Sequence, residues 1–162
     1  MRLLRSLDRL TGLTIAAAQW LALPLVLLLF LQWPLRDLVR AYSREANDLA
    51  QVIFALFVAA SVTAATRAGT HLAADTLAQR YAPRTRLWIA RIGSAVGLVP
   101  WALFVLLGGK NIVTASIEEL EAFPDTNNPG YFLIKIALWV MALLVLGQAV
   151  IDIARPPVRD DV

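Results

Sequence analysis

Few residues in this sequence are of a type that does chemistry. There is one histidine, His71, and no cysteine. It stands in Arg67-Ala-Gly69-Thr-His71-Leu-Ala-Ala-Asp75, where Arg67, His71 and Asp75 recur at i, i+4 and i+8 and would share one face of a continuous helix. Imidazole titrates near pH 6.5 (about the only side chain to do so unperturbed), so a proton-handling histidine is one reading of that face. A hydrogen-bonded clamp that fixes a helix end and the following loop is the other. Gly69 either interrupts the helix or lets a second backbone come close. With no second histidine and no thiol, the clamp is favoured. Two-histidine haem ligation is excluded by the count, and Met1 and Met141 are poorly placed to supply a second ligand. Glu118, Glu119 and Glu121 cluster with no histidine beside them, the pattern of a solvated face rather than a metal site. No glycine-rich phosphate loop, nucleophile elbow or pair of catalytic carboxylates is present. The expectation is a protein that is not an enzyme and carries no cofactor.

The elements that hold these residues follow from composition. The chain has 162 residues, 59% apolar and 17% charged, with mean hydropathy +0.64. A soluble domain is nearer 45–50% apolar and roughly 25% charged. The balance argues against disorder, a disulfide scaffold or a nucleic-acid module, and for lipid. The apolar residues fall in four runs, at 12–33, 49–66, 87–109 and 131–151. A helix crossing a hydrocarbon core of roughly 30 Å needs about 20 such residues. The expected fold is an all-α integral membrane protein, one four-helix transmembrane domain over 1–162. A secretory signal is the alternative for the first run, since Arg2, Arg5 and Arg9 precede it, but its apolar stretch is too long and Ala16–Ala17–Ala18 come too early for cleavage. Pro24 and Pro100 lie inside runs and are tolerated in membrane helices, where either can kink its helix and neither alone marks a function.

Charge sets the expected orientation. The N-terminal segment, residues 67–91 and the tail carry three, five and two basic residues, ten in all, against five in the other two connections. By the positive-inside rule both termini and the middle loop are cytoplasmic. Leu3, Leu4, Leu7 and Leu10 recur at helical spacing among arginines before the first span, as do Leu35, Leu38, Val39 and Tyr42 before the second. Each approach reads either as a helix lying in the membrane interface or as an extension of the neighbouring span.

The mid-span polar residues are Gln19, Gln51, Ser61, Thr63, Ser94 and Gln148, none of them ionised. Intramembrane charge, the usual marker of an ion or substrate path, is lacking. Alanine and glycine are dense in the second and third spans, which suits close helix packing. These features describe an accessory subunit that packs against something larger.

The middle of the chain adds a resemblance. Glu45-Ala-Asn-Asp48, an apolar helix, then Arg67-x-Gly69-x-His71-x3-Asp75-x-Leu77 and Pro83 resembles the small membrane subunit of the tripartite ATP-independent periplasmic (TRAP) transporters. Lys135 near the start and Gln148 near the end of the fourth span fit the same pattern. The acidic pair that many members carry before the second helix is represented by Glu45 and Asp48. The resemblance implies a bacterial inner-membrane scaffold that binds a large permease subunit and works with a periplasmic solute-binding protein. The transport it implies is ion-gradient-driven uptake of an organic acid. It makes Arg67, Gly69, His71, Asp75, Glu45 and Asp48 candidates for structural or partner contacts. Glu118, Glu119 and Glu121, in an acidic outer segment, are candidates for docking the binding protein, against the alternative of a solvated connector. The competing reading of the whole chain is a four-helix membrane anchor of an unrelated redox or enzyme complex.

Overall fold

The computed structural model describes residues 2–38, 43–68 and 81–154. These form four helical rods, Leu3–Leu38, Arg44–Ala68, Arg84–Glu118 and Phe132–Ala154, each long and apolar enough to cross a membrane. No strand is present among the described residues; a single antiparallel bridge joins Ala122 and Pro129.

The first rod is two helices, Arg2–Gln19 and Ala22–Leu38, separated by a turn at Trp20–Leu21. Pro24 explains the turn. It has no N–H to donate to the Trp20 carbonyl, and its ring crowds that same group. The chain responds by tightening, with Trp20 N–H bonded to Ala17 O at 3.2 Å and Leu21 N–H to Ala18 O at 3.0 Å. Residues 2–11 are thus helical and continuous with the first span, as residues 34–38 are at its other end. Val39, Arg40 and Tyr42, which complete the second amphipathic pattern, lie outside the described residues.

The second rod starts at Ser43, whose hydroxyl accepts the Ala46 N–H at 3.1 Å, an N-cap. The third begins with Pro83 in its first turn, where the missing N–H has no helical partner to lose. It runs as Pro83–Gly93, a π turn over Ser94–Leu98, then Val99–Gly108 and Lys110–Glu118. The π turn carries a bond from Val99 N–H to Ser94 O, and Pro100 follows at once. The widened turn is how the helix accommodates a residue that cannot donate. The rod extends well past the run at 87–109, because residues 110–118 stay helical although Lys110, Asn111 and Glu118 end the apolar stretch. At Gly109 the fourth rod comes close: a side chain there would put its Cβ 3.4 Å from the Trp139 indole nitrogen.

Burial divides the rods into two kinds. The most apolar stretches of the second and fourth are 28% and 33% buried, against 11% for the first and third. The second and fourth rods pack on each other, and the residues buried in them are largely small, Ala50, Ala59 and Ala60 in one and Ala137, Ala142 and Ala149 in the other. Small side chains let helix axes approach in lipid, where packing rather than water expulsion drives association. The flanking rods leave Leu23, Val26, Phe30, Val96, Phe104 and Leu107 exposed.

Candidate functional site

Polar side chains gather at the two ends of the bundle. The loop end is built by residues 119–131. The third rod stops in a left-handed turn: Leu120 has φ 47°, its N–H bonds Ile117 O at 3.2 Å, and Glu121 N–H reaches Ser116 O at 3.0 Å. This is the Schellman pattern of bonds, with leucine where glycine is usual. The chain then folds back on itself. Phe123 N–H bonds Asn128 O and Asn127 N–H bonds Phe123 O, both at 2.9 Å, while Gly130 and Tyr131 N–H both bond Glu121 O. Phe123 is buried beneath this hairpin and meets the Tyr131 ring edge-on, centroids 5.6 Å apart. Gly130 has φ 151°, and a Cβ there would lie 3.0 Å from the Phe123 ring.

Two carboxylates fasten this buckle to the helices. The Glu121 carboxylate accepts from Lys135 Nζ in the fourth rod and from the Ser116 hydroxyl in the third. The Lys135 ammonium, and after it the Ser116 hydroxyl, hold the Glu121 carboxyl below the usual carboxylate range. The buried Asp48 carboxylate, in the second rod, accepts the Thr126 hydroxyl at 2.6 Å. Glu45 is exposed and accepts the Ser43 hydroxyl at 3.1 Å. Between Glu45, Asp48, Phe123 and Gly130 lies a cavity of about 230 Å³. The acidic segment is therefore a fastened cap over three helix ends rather than a free connector. Of the docking candidates, Glu118 and Glu119 are exposed at the end of the third rod, and Glu121 is turned inward to hold the cap.

The terminal end is held by side chains on the helices themselves. Arg67 Nη2 lies 2.8 Å from Asp8 Oδ1 in the first rod, and its Nη1 donates to the Asp8 carbonyl at 3.2 Å. Gly69, His71 and Asp75 lie outside the described residues, so Arg67 is the member of that motif placed, and its partner is Asp8. One turn further into the bundle, Thr11, Thr63 and Gln148 are buried. Gln148 Nε2 donates to Asp152 Oδ1 at 2.9 Å, one turn down the fourth rod. Thr63 Oγ1 and Gln148 Oε1 have no hydrogen-bond partner among the described residues. No group of three histidines, cysteines or acids able to hold a metal occurs among the described residues.

Several of these residues escaped the sequence reading. Asp8 is the single acid among the N-terminal arginines, the available hint that one arginine on a neighbouring rod would seek it. Phe123 is a large apolar residue in an otherwise polar segment, which is a signal for a buried anchor. Thr126 carried no signal. In chemical terms the molecule offers fixed surfaces: a rigid acidic cap at one end and a basic, polar-lined junction at the other.

A family model described as tripartite ATP-independent periplasmic transporters, DctQ component, matches residues 25–156. That span takes in the second, third and fourth rods, most of the second helix of the first rod and the loop end, while Asp8 and Thr11 of the terminal end lie outside it. No curated protein and no solved structure matches the chain.

Proposed function

Because the chain belongs to the DctQ family, the small-subunit component of the tripartite ATP-independent periplasmic transporters, we propose that it serves as the fixed scaffold of such a transporter in a bacterial inner membrane. It is a transporter component and not an enzyme. In this reading it pairs with a large permease subunit that carries the solute and ion sites, and a periplasmic protein delivers an organic acid. Uptake is driven by an ion gradient. Both termini and the 67–83 segment face the cytoplasm, and the 119–131 cap faces the periplasm.

The observation that carries the scaffold reading is the unequal burial of the four rods. Two short rods close on each other, while the two long ones keep apolar faces uncovered along most of their length. Such faces are open to lipid or to a membrane partner, and in this reading the large permease covers part of them. The cap suits the landing of a soluble partner: Glu118, Glu119 and Asp125 are exposed on a frame held by three helix ends. Charged rims of this kind set encounter rate and salt dependence more than final affinity. Arg67 with Asp8, and the Gly69–His71–Asp75 segment after it, are assigned to fixing the cytoplasmic end or touching the permease.

Reconstitution tests the proposal. Liposomes holding this chain alone should take up no solute. Liposomes holding it with its permease, and supplied with the binding protein and a sodium gradient, should take up an organic acid. Uptake by the chain alone overturns the scaffold role, as does full uptake by the permease without it. Glu118→Lys with Glu119→Lys should slow uptake at limiting binding protein, most at low salt, and saturating binding protein should restore it.

A further inference from the structure

The start of the third rod has a surface that the scaffold role leaves unused. Pro83–Gly93 carries Arg84, Arg86 and Arg91, and residues 81–98 contain no acid. Large apolar side chains alternate with the arginines: Trp88, Ile89 and Ile92 are 62%, 51% and 55% exposed. The Arg91 guanidinium lies 5.8 Å from the centre of the Trp88 ring. Arg84, Trp88 and Arg91 fall at i, i+4 and i+7, on one side of the helix.

The depth of this segment follows from the cap. Ser116 and Lys135 are held at one level by Glu121. From that level the fourth rod runs about 29 Å to Ala154, its last described residue, taking 1.5 Å per residue. The third rod covers that distance by Gly97, inside the π turn Ser94–Leu98. Most of Pro83–Gly93 therefore lies past the level of Ala154, beyond the point where the helix is already widened.

We propose that Pro83–Gly93 binds anionic phospholipid headgroups at the terminal-end surface of the membrane. The arginines take phosphate oxygens, a geometry that the planar guanidinium favours over an ammonium. Trp88 and Ile92 enter the headgroup boundary, where tryptophan is at home. Clustered basic charge beside a span is attracted to anionic leaflets. An acidic protein partner fits less well, because the arginines share an eleven-residue helix with exposed apolar side chains directly continuous with a membrane span. The inference rests on the orientation above only for assigning this surface to the cytoplasmic leaflet.

The chain has no cysteine, so Thr85→Cys gives one labelling site in the full-length protein. An environment-sensitive fluorophore on that thiol should report a drier setting in nanodiscs of equal phosphatidylglycerol and phosphatidylcholine than in phosphatidylcholine alone. Native mass spectrometry should show phosphatidylglycerol retained over phosphatidylcholine. Arg84→Gln with Arg86→Gln should weaken that retention by about five-fold per arginine. Arg86→Gln alone, at an exposed position, should give the smaller loss of the same sign. Arg5→Gln with Arg9→Gln should leave the fluorophore signal unchanged. Equal retention of the two lipids, or retention unaltered by the arginine variants, overturns the proposal. A membrane-impermeant thiol reagent should label the Thr85→Cys chain in inverted vesicles and not in spheroplasts. Labelling in spheroplasts overturns the orientation, whatever the lipid preference shows.

Discussion

The two ends of the bundle are held by different means. At the loop end a connection of about a dozen residues folds back, buries Phe123 and fastens to three rods through Glu121 and Asp48. At the terminal end Arg67 ties to Asp8 across two rods, while Gln148 to Asp152 is a bond within the fourth rod. The loop end combines apolar burial with charge pairing. The terminal end relies on polar bonds at positions where Arg67 and Asp8 remain 31% and 44% exposed. Burial of an aromatic ring outweighs a partly solvated ion pair, so the loop end is the stronger fastening.

Phe123→Ala tests that ordering most severely. Removing a buried aromatic side chain costs about 3 kcal/mol or more, and here it also empties the space beneath the cap. Thermal unfolding in detergent should show the largest loss of any single change at either end. A loss no greater than that of Arg67→Met would break the comparison.

Acid should act on the loop end next. The folded-state pKa of Glu121 is lowered, so its contribution is fully present above the ordinary carboxylate range. It is lost as pH falls through the depressed value. Unfolding temperature followed downward from neutrality should therefore fall below about pH 4.5. Glu121→Gln should flatten that limb while lowering stability at neutral pH.

The terminal end should respond more weakly. Arg67→Met should cost about 1 kcal/mol, since the pair is partly open to solvent. Asp8→Asn in the same chain should add little, and a double-mutant cycle would give that coupling directly. The smallest effect expected is a gain. Leu120 occupies a left-handed turn that costs a leucine roughly 1 kcal/mol. Leu120→Gly should raise stability by up to about that amount, with no change in the lipid or partner interactions assigned elsewhere.

What was legible in the sequence follows the same division. Helical spacing puts Arg67 on a face with His71 and Asp75, which lie outside the described residues, and its contact with Asp8 on another rod is one that spacing along a single helix does not announce. The loop has no period, so nothing in its residue types announced that Thr126 would meet Asp48, 78 positions away. The four spans were legible because lipid demands long apolar runs. Their ends were not, because hydropathy stops at the first charges while the backbone stays helical through them. The first rod starts ten residues before its apolar run, and the third continues through residues 110–118. The turn at Trp20–Leu21 and the π turn at Ser94–Leu98 both lie within one turn of a proline, so Pro24 and Pro100 marked them in advance.

Those two interruptions give the bundle a mechanical character. The second and fourth rods contain no proline and run as unbroken helices of 25 and 23 residues. They are stiff struts, set side by side and pointing the same way. The first and third rods, 36 and 35 residues long, are interrupted, the first at Trp20–Leu21 and the third at Ser94–Leu98 and again at Gly109. A sideways load from a moving neighbour in the membrane would bend the jointed members at Trp20–Leu21 and Ser94–Leu98. The struts between them, and the cap they support, would keep their alignment.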